Sequence, residues 1–139
     1  MGSLELRLTA SPGLGRRAIR DLAARHGVRP TKALGQNFLV DPNLARAIAE
    51  AAGAGPGRRV LEIGAGLGSL TLALADTGAD VLAVEVDRGL VPVLREVVAP
   101  HSNVRVVEAD AMRADWFALL ASAPRWVLVA DLPYNVAKP

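Results

Sequence analysis

Three carboxylates and a glycine cluster stand where four short apolar runs end, at nearly even spacing along the chain. Val60-Leu61-Glu62-Ile63 leads into Gly64-Ala65-Gly66-Leu67-Gly68, and Val81 to Val84 leads into Glu85. Val104 to Ala109 leads into Asp110, and Trp126 to Ala130 into Asp131-Leu132-Pro133-Tyr134. In an open parallel α/β sheet, ligands bind outside the carboxyl ends of the strands. The four ends would then face one crevice.

Each end suggests a different piece of chemistry. The glycines let the backbone turn tightly and approach a ligand, since no Cβ obstructs it. The dinucleotide fingerprint is G-x-G-x-x-G. Here the third glycine arrives one position early and Ser69 stands in its place, which favours a loop that receives an amino-acid tail over one that cradles a pyrophosphate. A purely structural glycine turn is the competing reading. Glu85 follows Gly64 at the distance at which an acid accepts hydrogen bonds from ribose hydroxyls. That indicates a nucleoside without saying which one. Asp110 could accept from an adenine amino group, or simply cap a helix. Asp87 is expected to face solvent.

Asp131-Leu132-Pro133-Tyr134 is the most specific feature. The exocyclic amine of adenine is a poor nucleophile because its lone pair is spread into the ring. The Asp131 carboxylate and the Leu132 carbonyl could accept its two hydrogens and localise that pair. Pro133 would fix the turn, and Tyr134 would offer a face for an extruded base. With a sulfonium methyl as electrophile, the work is alignment and electrostatics, with no metal required. The cofactor expected on these grounds is S-adenosylmethionine.

Strand must alternate with helix to position these ends. The spacing predicts helices over Leu14 to His26, from Asp41-Pro42 to Ala52, over Ser69 to Ala75, over Leu90 to Val98, and from Asp115 towards Pro124. Thr31 to Val40 reads as a loop. Near-continuous Val/Leu strands argue for a buried parallel sheet. The fold expected is α/β, a Rossmann-like methyltransferase domain with a parallel sheet core. His26 and His101 read as isolated surface residues, and Trp116 and Trp126 as core.

Composition narrows the class. With 139 residues, 51% of them hydrophobic and 22% charged, the chain should fold as one unit. No apolar run reaches membrane-spanning length, and there are no cysteines for disulfides or thiolate metal sites. A cytoplasmic monomer is the expectation. The net charge of +2 is unevenly spread: residues 1–35 carry +5 and the remainder −3. A basic arm on a mildly acidic body suggests a polyanion, with Arg16, Arg17, Arg20 and Lys32 as the contacts. A solvated helix face is the alternative. The division expected is a basic helix and loop over 1–35 and a methyltransferase domain over 36–139.

These residues resemble a known family. Thr31-Lys32-Ala33-Leu34-Gly35-Gln36-Asn37-Phe38-Leu39, the glycine loop, Glu85-Val86-Asp87, Ala109-Asp110 and Leu132-Pro133-Tyr134-Asn135 are similar to the rRNA adenine N6-methyltransferases. That family also includes the erythromycin-resistance methylases of 23S rRNA. The resemblance implies dimethylation of two adjacent adenosines near the 3′ end of 16S rRNA, in immature small subunits. It implies that Asn37 and Leu39 touch the cofactor, that Gly64, Gly66, Glu85, Asp110 and Asp131 bind it, and that position 131 and Tyr134 hold the target base. A non-catalytic RNA-binding assembly factor is a further alternative. Asp131 departs from the Asn of the family, and Lys138 from an uncharged residue. Family members continue through further strands and a helical RNA-binding domain beyond the point where this chain stops, so the resemblance implies a fragment whose sheet is incomplete at its carboxyl end.

Overall fold

A computed structural model describes residues 15–28, 40–120 and 125–130. Four parallel strands form its sheet: β1 (Arg59–Ile63), β2 (Asp80–Glu85), β3 (Val104–Glu108) and β4 (Val127–Ala130), in the order β3-β2-β1-β4. The helices are α1 (Arg16–Arg25) and α2 (Pro42–Ala51) before β1, then α3 (Ser69–Asp76), α4 (Val91–Val98) and α5 (Trp116–Leu120) in the crossovers. All four expected strands form, each within a residue or so of its predicted bounds. The third crossover helix ends at Leu120 among the described residues; its predicted extension towards Pro124 lies outside them.

Register explains the apolar content. Val60 pairs with Val81 on one side and Val127 on the other, and Leu61 with Leu82 and Leu128. Paired residues in a parallel sheet share a face. Val60, Glu62, Val81 and Ala83 therefore face the layer of α1 to α4, where the two larger apolar clusters lie. Leu61, Leu82 and Val84 face the other way and meet Trp116, Leu119, Leu120 and Trp126. Because both faces are packed, β2 is buried throughout after Asp80, which is why its sequence runs apolar instead of alternating.

The caps form as read. Asp41 accepts from the Asn43 and Leu44 N–H groups at 3.0 and 3.2 Å, with Pro42 in the first turn of α2. Asp115 accepts from the Ala118 N–H at 3.1 Å and starts α5.

The basic helix α1 packs onto the body. Its Ile19, Leu22 and Ala23 join the cluster of Leu67, Val93, Leu94 and Val97. Burying a side chain such as Ile19 or Leu22 contributes about 1.5–3 kcal/mol, and a ten-residue helix needs such support because alone it is marginal. His26 is not isolated. It is exposed, but its Nε2 lies 2.7 Å from Glu96 Oε2 and ties the end of α1 to α4. A contact 70 residues apart leaves no local sequence signal. Trp116 and Trp126 are only partly buried, at the margin of the thinner apolar cluster. Their expected core positions are corrected accordingly: among the described residues, a single short helix covers that face.

Candidate functional site

The chain reverses direction across the sheet between β1 and β4. After β1 it adds β2 and β3 on one side, then returns to place β4 on the other. This is a topological switch point, where open α/β sheets leave a crevice. Residues 64–68 leave β1 there, and Gly64, Gly66 and Gly68 all have positive φ, at 80°, 59° and 91°. The Gly64 and Ala65 N–H groups both donate to the Val84 carbonyl, at 2.9 and 3.2 Å. The loop thus folds across the end of β2, directly beside Glu85.

Glu85 is 6% exposed and its carboxylate is held from both sides. Oε1 accepts from the Gly66 N–H at 2.7 Å, and Oε2 from the Asp87 N–H at 2.9 Å. Charge-assisted bonds of this kind are stronger than neutral ones. An ionised carboxylate has about four lone-pair directions, so two remain for a ligand's hydroxyl groups. The acid both shapes the glycine loop and presents acceptors beside it.

Asp110 follows β3. The Ala109 N–H donates to the Glu85 carbonyl at 3.0 Å, which carries Asp110 to the end of β2. Asp110 is exposed, and its Oδ1 accepts from the Met112 N–H at 2.9 Å. One oxygen caps the following turn, and the other is available to a ligand. Asp87 is exposed and caps its own turn through Gly89, at 2.8 Å.

Two residues of this region were not singled out from sequence. Glu62, in the middle of β1, and Thr71, in α3, are both fully buried, and Thr71 Oγ1 donates to Glu62 Oε1 at 2.5 Å. The bond fixes α3 to β1 directly beneath the glycine loop. The signal was a charged residue inside an otherwise apolar strand, since a buried carboxylate requires donors. Ser69 adds another tie: its Oγ accepts from the Val40 N–H at 2.9 Å, anchoring the chain segment before α2 to the start of α3.

Asn37, Leu39, Lys32, Asp131, Leu132, Pro133 and Tyr134 lie outside the described residues. Ala130, the last residue of β4, pairs with Ile63, the last of β1. Arg16, Arg17 and Arg20 are exposed on α1, with Arg16 at 4.0 Å from Asp41. Among the described residues, no three His, Cys, Asp or Glu side chains gather as metal ligands, and no helix is long and apolar enough to cross a membrane.

Glu85 and Asp110 leave free acceptors beside the glycine loop, so these residues fit a ligand carrying a diol and an amine. Known proteins resemble the chain in sequence and in fold. The chain is 52% identical to a ribosomal RNA small subunit methyltransferase A of Deinococcus radiodurans over 85% of its own length and 39% of that protein's. Among solved structures, the 23S rRNA methyltransferase ErmE superposes with a TM-score of 0.61 at 38% identity, over 72% of this chain and 39% of that one. The N-terminal domain of EvdMO1, solved with SAH bound, gives 0.55 at 28%, over 78% and 52%. The chain thus spans about two fifths of the length of the curated relatives it matches. The profile described as ribosomal RNA adenine dimethylase matches residues 28–139, and the chain belongs to that family.

Proposed function

We propose that the protein to which this chain belongs transfers methyl groups from S-adenosylmethionine to the N6 amines of two adjacent adenosines in small-subunit rRNA. It would act as a cytoplasmic monomer on immature subunits. The observation that carries the reading is the Glu85 carboxylate, buried at the end of β2 and bonded to Gly66 within the glycine loop. A buried acid in that place suits the ribose of a nucleoside cofactor. S-adenosylmethionine supplies an electrophilic methyl group on sulfur. The residues of this chain supply position: the glycine loop the amino-acid end, Glu85 the ribose, Asp110 the adenine. Asp131, the Leu132 carbonyl and the face of Tyr134 are proposed to hold the target base. The curated relatives matched at 50–52% identity are named small-subunit methyltransferases, which favours the small-subunit substrate.

The arginines of α1 are proposed to meet RNA phosphates. Replacing Arg16, Arg17 and Arg20 with Gln is expected to lower affinity for a small-subunit rRNA fragment. It should flatten the salt dependence by about 0.7–0.9 in log–log slope for each phosphate left without its arginine. Cofactor affinity should stay constant, because α1 reaches the body through Ile19, Leu22 and Ala23 instead. Filter binding across a salt series checks this; an unchanged slope would make the three arginines a solvated face.

A further inference from the structure

At the end of the sheet opposite the crevice, a cavity of about 680 Å³ opens where β1 and β4 begin. It is lined by Gly57, Arg58, Arg59, Arg125, Trp126 and Val127. With strands of about five residues at about 3.3 Å each, it lies roughly 15 Å from the glycine loop. The three arginines are exposed, and none has a carboxylate within ion-pair distance among the described residues. The backbone of Arg58 is pinned: its N–H donates to the Gly55 carbonyl at 3.0 Å, and its carbonyl accepts from Asp80 at 2.9 Å. Trp126 adds an independent observation. Its indole N–H is buried and has no acceptor among the described residues, although such donors are nearly always matched.

We propose that this cavity is a second RNA contact, in which Arg58, Arg59 and Arg125 bind backbone phosphates beside Trp126. The inference rests on the rRNA-modifying reading above. Guanidinium groups match phosphate geometry bidentately and stay charged at every relevant pH. A cavity of this volume falls in the range that takes molecules of nucleotide size and more, so a lone inorganic anion would leave most of it empty. Placed at the far end of the sheet, the contact would grip RNA outside the crevice and leave the crevice free for the target base.

The competing account is that these arginines offset the carboxyl-terminal end of α3, which points to the same end of the sheet. The test compares wild type with the triple variant Arg58→Gln, Arg59→Gln, Arg125→Gln and with the triple Lys variant. Each is titrated with a small-subunit rRNA fragment, with inorganic phosphate, and with anionic phospholipid vesicles. The Gln variant is expected to bind RNA at least tenfold more weakly, with a salt slope shallower by up to about 0.7–0.9 per phosphate released. The Lys variant should keep the slope while binding more weakly. Calorimetry with S-adenosylmethionine should give the same affinity for all three proteins, which verifies their folding. In a Trp116→Phe background Trp126 is the only tryptophan of these 139 residues, and its emission should respond to RNA and cease to respond when the arginines are replaced.

Wild type that binds RNA with a slope unmoved by the Gln substitutions overturns the inference alone. So does a loss confined to vesicles, or a Trp126 emission indifferent to RNA. Wild type that binds cofactor but no RNA overturns the proposed function as well.

Discussion

Replacing Glu85 with Gln is expected to weaken S-adenosylmethionine binding at least tenfold. The carboxylate would accept from the ribose hydroxyls, and each hydrogen bond to a charged group contributes roughly 1.5–3 kcal/mol. Removing one is therefore about a tenfold effect or more. The substitution also sets up a local conflict. Both oxygens already accept from backbone N–H groups, of Gly66 at 2.7 Å and Asp87 at 2.9 Å. Whichever way a Gln amide turned, its NH2 would meet one of those donors. The glycine loop would loosen on one side, and binding should weaken by more than the ribose hydrogen bonds alone account for. Calorimetry gives the affinity, and a thermal melt separates loss of binding from loss of fold. Unchanged affinity in a folded variant would remove Glu85 from the cofactor site.

The largest expected effect on stability is that of Gly68→Ala. Gly68 precedes α3 with φ at 91°, where an L-residue is strained by about 1–3 kcal/mol. Space is short as well: an added Cβ would lie 2.9 Å from Leu94 Cδ1 and 3.2 Å from Val97 Cγ1. Leu94 and Val97 are both fully buried, so neither side chain can swing into solvent. Strain and overpacking together should cost about 2 kcal/mol or more. For a domain of this size that lowers Tm by roughly 6–10 °C. A Tm unchanged from wild type would mean that the turn relaxes freely and that the glycine is not required there.

Much of the fold was legible because the strands are buried on both faces. Such strands read as unbroken Val/Leu runs, and the Asp41-Pro42 and Asp115 caps mark where helices start. The places of Glu85 and Asp110 at the carboxyl end of the sheet were legible for the same reason: they are the polar residues that end those runs. What escaped the reading is what long-range contact decides. Nothing near His26 in sequence indicates Glu96. The dual role of Glu85 depends on a loop that folds back over β2. The bond between Thr71 and Glu62 crosses from helix to strand, and only the charge within Val60-Leu61-Glu62-Ile63 hinted at it. Trp116 and Trp126 were misplaced because an aromatic residue on an apolar face reads as core whether one helix or several cover that face. The arginine cavity was invisible for a related reason: β1 and β4 are neighbours in space, yet Arg59 and Arg125 stand far apart in the chain.

The most direct test of the rRNA methyltransferase reading is methyl transfer by the protein that carries this chain. Small and large ribosomal subunits from cells lacking the modification are incubated with it and with S-adenosylmethionine labelled in the methyl group. The rRNA is then digested and its nucleosides separated. The account predicts label in small-subunit rRNA alone, recovered as N6,N6-dimethyladenosine from two adjacent positions. Label in large-subunit rRNA, or none on either subunit while the cofactor is bound, would contradict it.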